Sequence, residues 1–254
     1  MKTNITSFMI GLAAGCLGGL AGLGGGILMV PLMVYVLKLS QHRAHGTSLV
    51  AIVFTGLSGA ITYALNGAVD YTAAVLLAVT AVFTARAGAR YANILPAWKL
   101  RKYFGIFLLI CSVLLLLKPY LTVGIGSVPG YAKVIIFLIT GLGSGFLSGI
   151  MGGGGGIIMV PVMVLLTGFS QHIAQGTSLL VMVPAGATGA ATHWRLGNVA
   201  RKILIGLLLG ILLGTYLGGS FAHLLPDNIL RMTFVVVAIW IGGRYVCTKA
   251  PENS

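Results

Sequence analysis

An internal repeat sets the organisation of this 254-residue chain. The sequence aligns with itself without gaps at an offset of 130, which pairs the glycine-rich segment 22–34, GLGGGILMVPLMV, with 152–164, GGGGGIIMVPVMV. The same offset pairs 40–50, SQHRAHGTSLV, with 170–180, SQHIAQGTSLL. A repeat at a fixed offset indicates one structural unit used twice. We therefore expect two equivalent halves and a linker containing glycine and proline, which fall at 1–118, 131–254 and 119–130.

The composition places both halves in a lipid bilayer. Apolar residues make up 57% of the chain and charged residues 7%, whereas a soluble domain carries about 25% charged residues to cover its surface. The mean hydropathy is +1.02. A formal net charge of +13 would suggest nucleic acid in a soluble protein, but here the basic residues stand between apolar runs and act as cytoplasmic-side anchors. Membrane lipid is therefore an expected partner, and nucleic acid is not.

Each half is predicted to contain one long, interrupted apolar segment followed by three ordinary transmembrane helices. The ordinary runs have the length of single spans and lie at 44–65, 72–94, 103–117, 174–194, 203–224 and 230–247. The first run of each half is too long for one span and contains a glycine cluster followed by proline. Interior glycine costs about 1 kcal/mol relative to alanine in a helix, and proline removes a backbone donor. We expect the first half's segment to form two short helices, 6–20 and 27–39, around a glycine tip.

The distribution of lysine and arginine indicates how the two halves are related. If the interrupted segment crossed the membrane once, the sixteen basic residues would divide eight and eight between the two faces. If it enters and returns as a re-entrant hairpin, thirteen lie on one face, and the other face has Lys118, Lys133 and Arg231. The second arrangement satisfies the positive-inside rule. The predicted fold class is therefore an all-α polytopic membrane protein of two inverted-topology repeats, with both termini cytoplasmic.

The two glycine tips form the first candidate binding site. Short helices reach only part-way across the bilayer, so each tip is expected near the midplane, where inverted-repeat transporters hold their substrate. Unpaired amides at the start of the second short helix, together with its dipole, favour an anion. The candidate substrate-binding residues are Gly24, Gly25, Gly26, Ile27, Gly154, Gly155, Gly156 and Ile157. The alternative is that these glycines only permit close helix packing, as we expect for Gly15, Gly56 and Gly59.

The second doubled motif, SQHxAxGTS, offers uncharged donors at the turn into the next span. Ser40 and Ser170 are expected as turn or N-cap residues. Hydroxyl groups suit an oxyanion, and helix capping and helix-to-helix bonds explain them equally well; the candidates are Thr47, Ser48, Thr177 and Ser178. A substrate or proton path is assigned to Gln41, His42, Gln171, His172 and Arg195. The alternative for the two histidines and for Arg195 is an interfacial anchor.

Several residue patterns are missing from the sequence. No Asp or Glu lies in the middle of a predicted span, which disfavours a carrier of metal cations. No GxSxG, HExxH or acidic metal cluster occurs, so the sequence predicts no enzyme, no bound metal and no cofactor. The three cysteines, Cys16, Cys111 and Cys247, are far apart and have no metal-binding spacing. The N-terminal apolar run is expected to be mature structure, because its pattern recurs inside the chain at 141–160.

The doubled motifs resemble the TauE/SafE sulfite exporter family, also called the 4-toluene sulfonate uptake permease family. The two glycine-rich MVP segments and the two SQHxAxGTS segments carry the resemblance, which covers nearly the whole chain. It implies a bacterial inner-membrane transporter, here taken as an exporter, of small sulfur-containing anions such as sulfite or organosulfonates. The candidate positions that the resemblance carries over are Gly24, Gly25, Gly154, Gly155, Thr47, Ser48, Thr177 and Ser178.

Two other functions stay open as alternatives at this point. A sulfur-relay protein would pass a thiol-bound group across the membrane with Cys16 or Cys111, and an anion channel would lack an alternating gate. Export of an anion needs no coupling ion, because each negative charge that leaves a negative interior releases about 2.3 kcal/mol per 100 mV. Uptake would need a co-transported proton or sodium ion. A small anion is the expected substrate, and homo-oligomerisation is left open.

Overall fold

The computed structural model describes residues 2–91, 97–121 and 129–247. Within these ranges the chain is entirely helical, and its helices are α1 (Lys2–Ala21), α2 (Gly26–Tyr35), α3 (Gln41–Leu65), α4 (Tyr71–Tyr91), α5 (Ala97–Leu121), α6 (Gly130–Met151), α7 (Gly156–Leu166), α8 (Gln171–Arg195), α9 (Arg201–Leu224) and α10 (Asp227–Val246). The predicted linker overlaps the end of α5, and its residues 122–128 lie outside the described residues.

Helix boundaries repeat at the same offset as the sequence. α3 and α8 begin at Gln41 and Gln171, and both have 25 residues. Ser40 and Ser170 occupy the N-cap positions predicted for them. The Ser170 hydroxyl accepts a hydrogen bond from the Ile173 N–H at 3.2 Å. Equal sequence motifs therefore start equal helices in the two halves.

The interrupted segments are longer than predicted before the glycines and shorter after them. α1 has 20 residues and α6 has 22, so each is about 30 Å long, longer than the short arm that the sequence predicted. The predicted first arm, 6–20, was too short, because the polar residues that precede the apolar run also join the helix, which begins at Lys2. α2 has 10 residues and α7 has 11. The predicted second arm, 27–39, ends early because the chain leaves the helix near Lys38, which has a left-handed φ of 53°.

Six helices of the described chain have the length and apolar composition of membrane spans, namely α1, α3, α4, α6, α9 and α10. The prediction of an all-α polytopic membrane fold is confirmed. α5 and α8, expected as spans from 103–117 and 174–194, are not among the six. α8 is packed between α3 and α4 at the centre of the molecule.

Equivalent helices of the two halves pack antiparallel. Along the interface of α3 and α8, Leu49 lies against Gly189, and ten residues earlier in α8 the side chain of Leu179 lies against Gly59. Residue numbers thus rise along α3 as they fall along α8. α5 and α10 also cross antiparallel.

Two further helix pairs join one half to the other. In each pair the helices are parallel and glycines form the interface. α9 has a glycine at every fourth position, and each lies against the α1 backbone: Gly206, Gly210, Gly214 and Gly218. α1 contributes glycines to the same interface, namely Gly11, Gly15 and Gly19. α6 packs on α4 in the equivalent way through Gly141, Gly145 and Gly149. Without Cβ atoms the backbones approach closely, which drives helix association in lipid. The packing role predicted for Gly15, Gly56 and Gly59 is confirmed.

Contacts between helix starts define two ends of the molecule. At the first, which we call the α3 end, the Thr47 hydroxyl accepts from the Ala200 N–H ahead of α9 at 2.9 Å, and the first turns of α9 pack on those of α1. At the opposite, α8 end, the Thr177 hydroxyl accepts from the Asp70 N–H ahead of α4 at 3.0 Å. Because α1 and α3 both start at the α3 end, the chain between them must travel inward and return. The return segment is α2.

Candidate functional site

The two glycine tips meet each other inside the molecule. Gly24 and Gly154 both have φ of +79°, a conformation that suits glycine and few other residues. A Cβ on Gly24 would lie 2.7 Å from the Sδ of Met182, and one on Gly154 would lie 3.3 Å from the Ile52 side chain. Ile52 and Met182 stand near the midpoints of α3 and α8. The tips therefore lie at mid-depth, packed against the crossing point of the two central helices.

Each tip is held by the doubled motif of the other half. The Ser48 hydroxyl donates to the Gly152 carbonyl at 2.9 Å, and the equivalent Ser178 hydroxyl donates to the Gly22 carbonyl at 2.9 Å. The ring nitrogen Nδ1 of His45 adds a 2.6 Å contact with the Met151 carbonyl. The hydroxyls thus satisfy carbonyls that the end of α1 or α6 leaves without a helical partner.

The four hydroxyls predicted as substrate contacts are all fully buried and already bonded. The Thr47 hydroxyl donates to the Arg43 carbonyl at 2.6 Å and accepts from the Ala200 N–H. Ser48 shares its hydrogen between the His45 and Gly152 carbonyls. The capping and helix-to-helix role, which was the alternative for these residues, is what this conformation shows for Thr47, Ser48, Thr177 and Ser178.

The amides at the two tips differ from one another. The Gly156 N–H donates to the Gly154 carbonyl, so it is not the unpaired amide that the sequence predicted. For the N–H groups of Gly26 and Ile27, no acceptor occurs in the part of the chain that the structure describes. The anion-binding potential of a helix start is therefore available at α2, while the start of α7 is partly closed on itself.

A cavity of about 350 Å³ leads from the α3 end to the start of α2. Its floor includes Gly26 and Ile27, and its mouth includes Gln41, the exposed first residue of α3. The guanidinium of Arg244, in the last turn of α10, lies 5.4 Å from the Trp240 ring centroid at one wall. The remaining lining residues are Val30, Pro31, Val34, Tyr35, His45, Met151, Ile241 and Tyr245.

Among the described residues, the equivalents of two cavity residues are buried at the α8 end. Gln41 is exposed, but Gln171 is 0% exposed. Pro31 is half-buried, whereas Pro161 is buried. Two small cavities near the second tip, which touch Gly155, each have a volume of about 10 Å³, room for about one water. The two halves, which share the same motifs, thus differ: a cavity is present at the α3 end, and the described equivalents at the α8 end are buried.

Comparison with known proteins identifies the family to which this helical membrane protein belongs. Residues 7–245 match the family described as Sulfite exporter TauE/SafE. The chain belongs to this family. It is 30% identical to "Probable membrane transporter protein YunE" of Bacillus subtilis (strain 168), over 92% of this chain and 94% of that protein. No solved structure matches the chain.

Other relatives of this TauE/SafE protein have similar names and similar lengths. "Probable membrane transporter protein YdhB" of Bacillus subtilis (strain 168) is 26% identical over 91% of this chain and 94% of its own. A "Probable membrane transporter protein" of Xylella fastidiosa (strain 9a5c) is 28% identical over 92% and 91%. The family resemblance predicted from the motifs is confirmed, and the chain is a multi-pass membrane transporter.

The site residues predicted for this TauE/SafE transporter are only partly brought together. Gly26, Ile27 and Gln41 line the cavity. Five others pack at the tips without reaching it: Gly24, Gly25, Gly154, Gly155 and Gly156. His42 is exposed in the first turn of α3, and Arg195 is exposed at the end of α8; neither lines the cavity.

Sequence reasoning missed His45 and Arg244 as cavity residues. His45 occupies a variable position of SQHxAxGTS, four residues after Gln41 and so on the same helix face. Its equivalent in the second half, Gln175, is also polar. Two polar residues at this variable position could have indicated a wall residue. Arg244 had no such pattern, because its equivalent in the first half is Leu114.

Proposed function

We propose that this TauE/SafE protein is an inner-membrane carrier that exports small sulfur-containing anions such as sulfite or organosulfonates. The observation that carries the proposal is the cavity that ends at the N–H groups of Gly26 and Ile27. A cavity of about 350 Å³ is large enough for a small oxyanion. At the α8 end the described residues that correspond to the cavity lining are buried. This asymmetry favours a carrier with an alternating gate rather than a channel that is open at both ends.

The chemistry of the cavity favours an anion. The positive end of the α2 dipole faces its floor, and unpaired backbone amides bind oxyanions without a fixed charge. Arg244 stands at the cavity wall near the mouth, where a guanidinium raises the local concentration of anions. None of the described lining residues is acidic. We assign the Thr47 and Ser48 hydroxyls a structural role, in hydrogen bonds that join the two halves, rather than direct contact with the anion.

The sidedness of the proposal rests on inverted repeats. Two halves related by an axis in the membrane plane bring equivalent helices together antiparallel, as α3 and α8 pack here. Basic residues gather at the α3 end, near the starts of α3 and α9 and the ends of α8 and α10: Arg43, Arg195, Arg201, Lys202 and Arg244. By the positive-inside rule we assign the α3 end, and with it both termini, to the cytoplasm. The cavity then opens inward, ready to load cytoplasmic anion.

Flux measurements test the proposal directly. Purified protein in proteoliposomes should move radiolabelled sulfite or a small sulfonate out of a compartment held negative, with saturable counterflow when unlabelled anion is present on the other side. An interior-negative potential should speed efflux, because the anion's charge moves down the field. Flux that ignores the sign of the potential would rule out electrogenic export. Flux that shows no counterflow would favour a channel, and absence of flux for all these anions would overturn the proposal.

A further inference from the structure

A buried arginine at the α8 end is paired with no acidic side chain in the described part of the chain. Arg231, in the second turn of α10, is 6% exposed. Its Nη2 donates to the Asn228 side-chain oxygen at 3.0 Å, and its Nε has no partner among the described residues. Among all the described residues the one ion pair is between His172 and Asp227, at 3.3 Å. A buried guanidinium is normally paired with an anion, and the described residues supply none to Arg231.

The carboxylate one turn before Arg231 contacts other groups through its Oδ1. Asp227 lies one turn before Arg231, and its Oδ1 accepts the Gln171 N–H at 2.6 Å and contacts the His172 ring. This carboxylate therefore caps the start of α8. The contact also joins the first turn of α10 to the first turn of α8. Arg231 follows Asp227 by one turn of α10, and Gln175 follows Gln171 by one turn of α8, so both lie one turn further from the α8 end than this contact.

Two glutamines beside this contact have buried side-chain atoms without a hydrogen-bond partner among the described residues. Gln171 is fully buried, and neither its Oε1 nor its Nε2 has a partner in the described structure. Gln175 is fully buried as well; its Oε1 accepts from the Tyr63 hydroxyl at 2.8 Å, but its Nε2 is unpartnered. Buried polar groups in native proteins are rarely left without a hydrogen-bond partner. We therefore expect each of these groups to gain a partner from a ligand or through a change of conformation.

The repeat relates these glutamines to the open cavity. Gln171 and Gln175 are the equivalents of Gln41 and His45, which line the cavity at the α3 end. α10 passes both places, with Arg244 at the α3 end and Arg231 at the α8 end. These two arginines are thirteen positions apart, about 20 Å along the helix. One helix thus offers a cation to each end of the path.

We propose that Gln171, Gln175 and Arg231 form a second oxyanion site, which is closed in this structure and opens toward the α8 end when the α3 cavity closes. The inference rests on the proposed anion transport and assigns the residues that bind the anion on the opposite face. Two amide groups and a guanidinium N–H donate to the oxygens of a small oxyanion, and the anion supplies the charge that Arg231 lacks. His172 and His223, whose rings stack at 5.3 Å, stand near this site.

Sided kinetics test this second site. Protein is reconstituted in one orientation, sorted by protease access to the termini, and the KM for sulfite is measured from each face. R231Q should raise the KM at the α8 end at least tenfold and leave the KM at the α3 end within about twofold. K133Q is the matched control, since it removes a positive charge from the first turn of α6, also at the α8 end, and should change neither value.

The outcomes separate the two proposals. If the wild-type protein transports sulfite but R231Q leaves the KM unchanged, or raises it equally from both faces, the second site alone is overturned. No wild-type flux of any sulfur oxyanion overturns the proposed function and this site together. If R231Q fails to fold, Q171A gives the same comparison. In a background without cysteines, Q171C should react with an impermeant thiol reagent from the α8 end, and sulfite should slow the reaction; a residue that never reacts from that side contradicts the opening.

Discussion

The Ser178 hydroxyl donates a 2.9 Å hydrogen bond to the Gly22 carbonyl, across 156 positions of sequence. Its equivalent, Ser48, forms the same bond with Gly152. Each glycine tip is therefore fixed by a helix of the other half, and neither half completes its own tip. A movement that shifts one tip must also shift the central helix of the opposite half, which couples the two ends of the transport path.

Removing one of these bonds should destabilise the protein. S178A leaves the Gly22 carbonyl buried without its partner, at a cost of about 1–2 kcal/mol, and should lower the unfolding midpoint in detergent. S48A should act to a similar extent. T233A is the control, since that hydroxyl is exposed and bonds only to the Ile229 carbonyl of its own helix. Equal midpoints for S178A and T233A would contradict the interlocking role.

The glycine interface between α1 and α9 should not tolerate a methyl group. In G210A the new Cβ would clash with the Phe8 carbonyl and lie 2.8 Å from the Leu12 nitrogen, so the two backbones would have to separate. We expect a large loss of folded protein, measured as monodisperse yield and unfolding midpoint. G143A is matched in type, with no atom within 4 Å of its Cβ. It should be neutral or gain up to about 1 kcal/mol from helix propensity.

Filling the α3 cavity should block transport without unfolding the protein. V34W places an indole in the cavity wall and should reduce anion flux at least tenfold, while the unfolding midpoint changes little. V75W is the control, because Val75 is 62% exposed on the outer surface of α4. Normal flux in V34W would show that substrate does not pass through this cavity.

Replacing all three cysteines should leave transport intact. Cys16 is half-buried, Cys111 buried and Cys247 exposed, and all three are free thiols. A carrier that binds its anion with amides and a guanidinium has no need of them, whereas a sulfur relay requires a thiol. The triple alanine variant should keep wild-type flux of sulfite per folded molecule. Loss of flux with a normal unfolding midpoint would favour the relay.

Local signals predicted much of the fold. The glycine runs before Ile27 and Ile157 indicated breaks, and Ser40 and Ser170 were expected as turn or N-cap residues, because caps and breakers act through neighbouring backbone groups. The predicted spans at 44 and 174 began three residues after the observed starts of α3 and α8. The length of α1 was not predicted, since a hydropathy pattern does not show how far a polar N-terminus continues a helix. The motif hydroxyls were recognised as either ligands or structural donors, and only their partners in the other half distinguish the two.

The sequence alone determined that the chain lies in a bilayer, that it uses one unit twice, and that it resembles TauE/SafE exporters, because composition, periodicity and motifs are properties of neighbouring residues. Tertiary structure alone decided that the Gly26 amide faces a cavity while the Gly156 amide is bonded, and that Arg231 is buried with no acidic side chain paired to it in the described structure. Nearly equal motifs cannot encode which half is open. That difference arises from contacts between residues more than a hundred positions apart, whose energies depend on how the two halves pack.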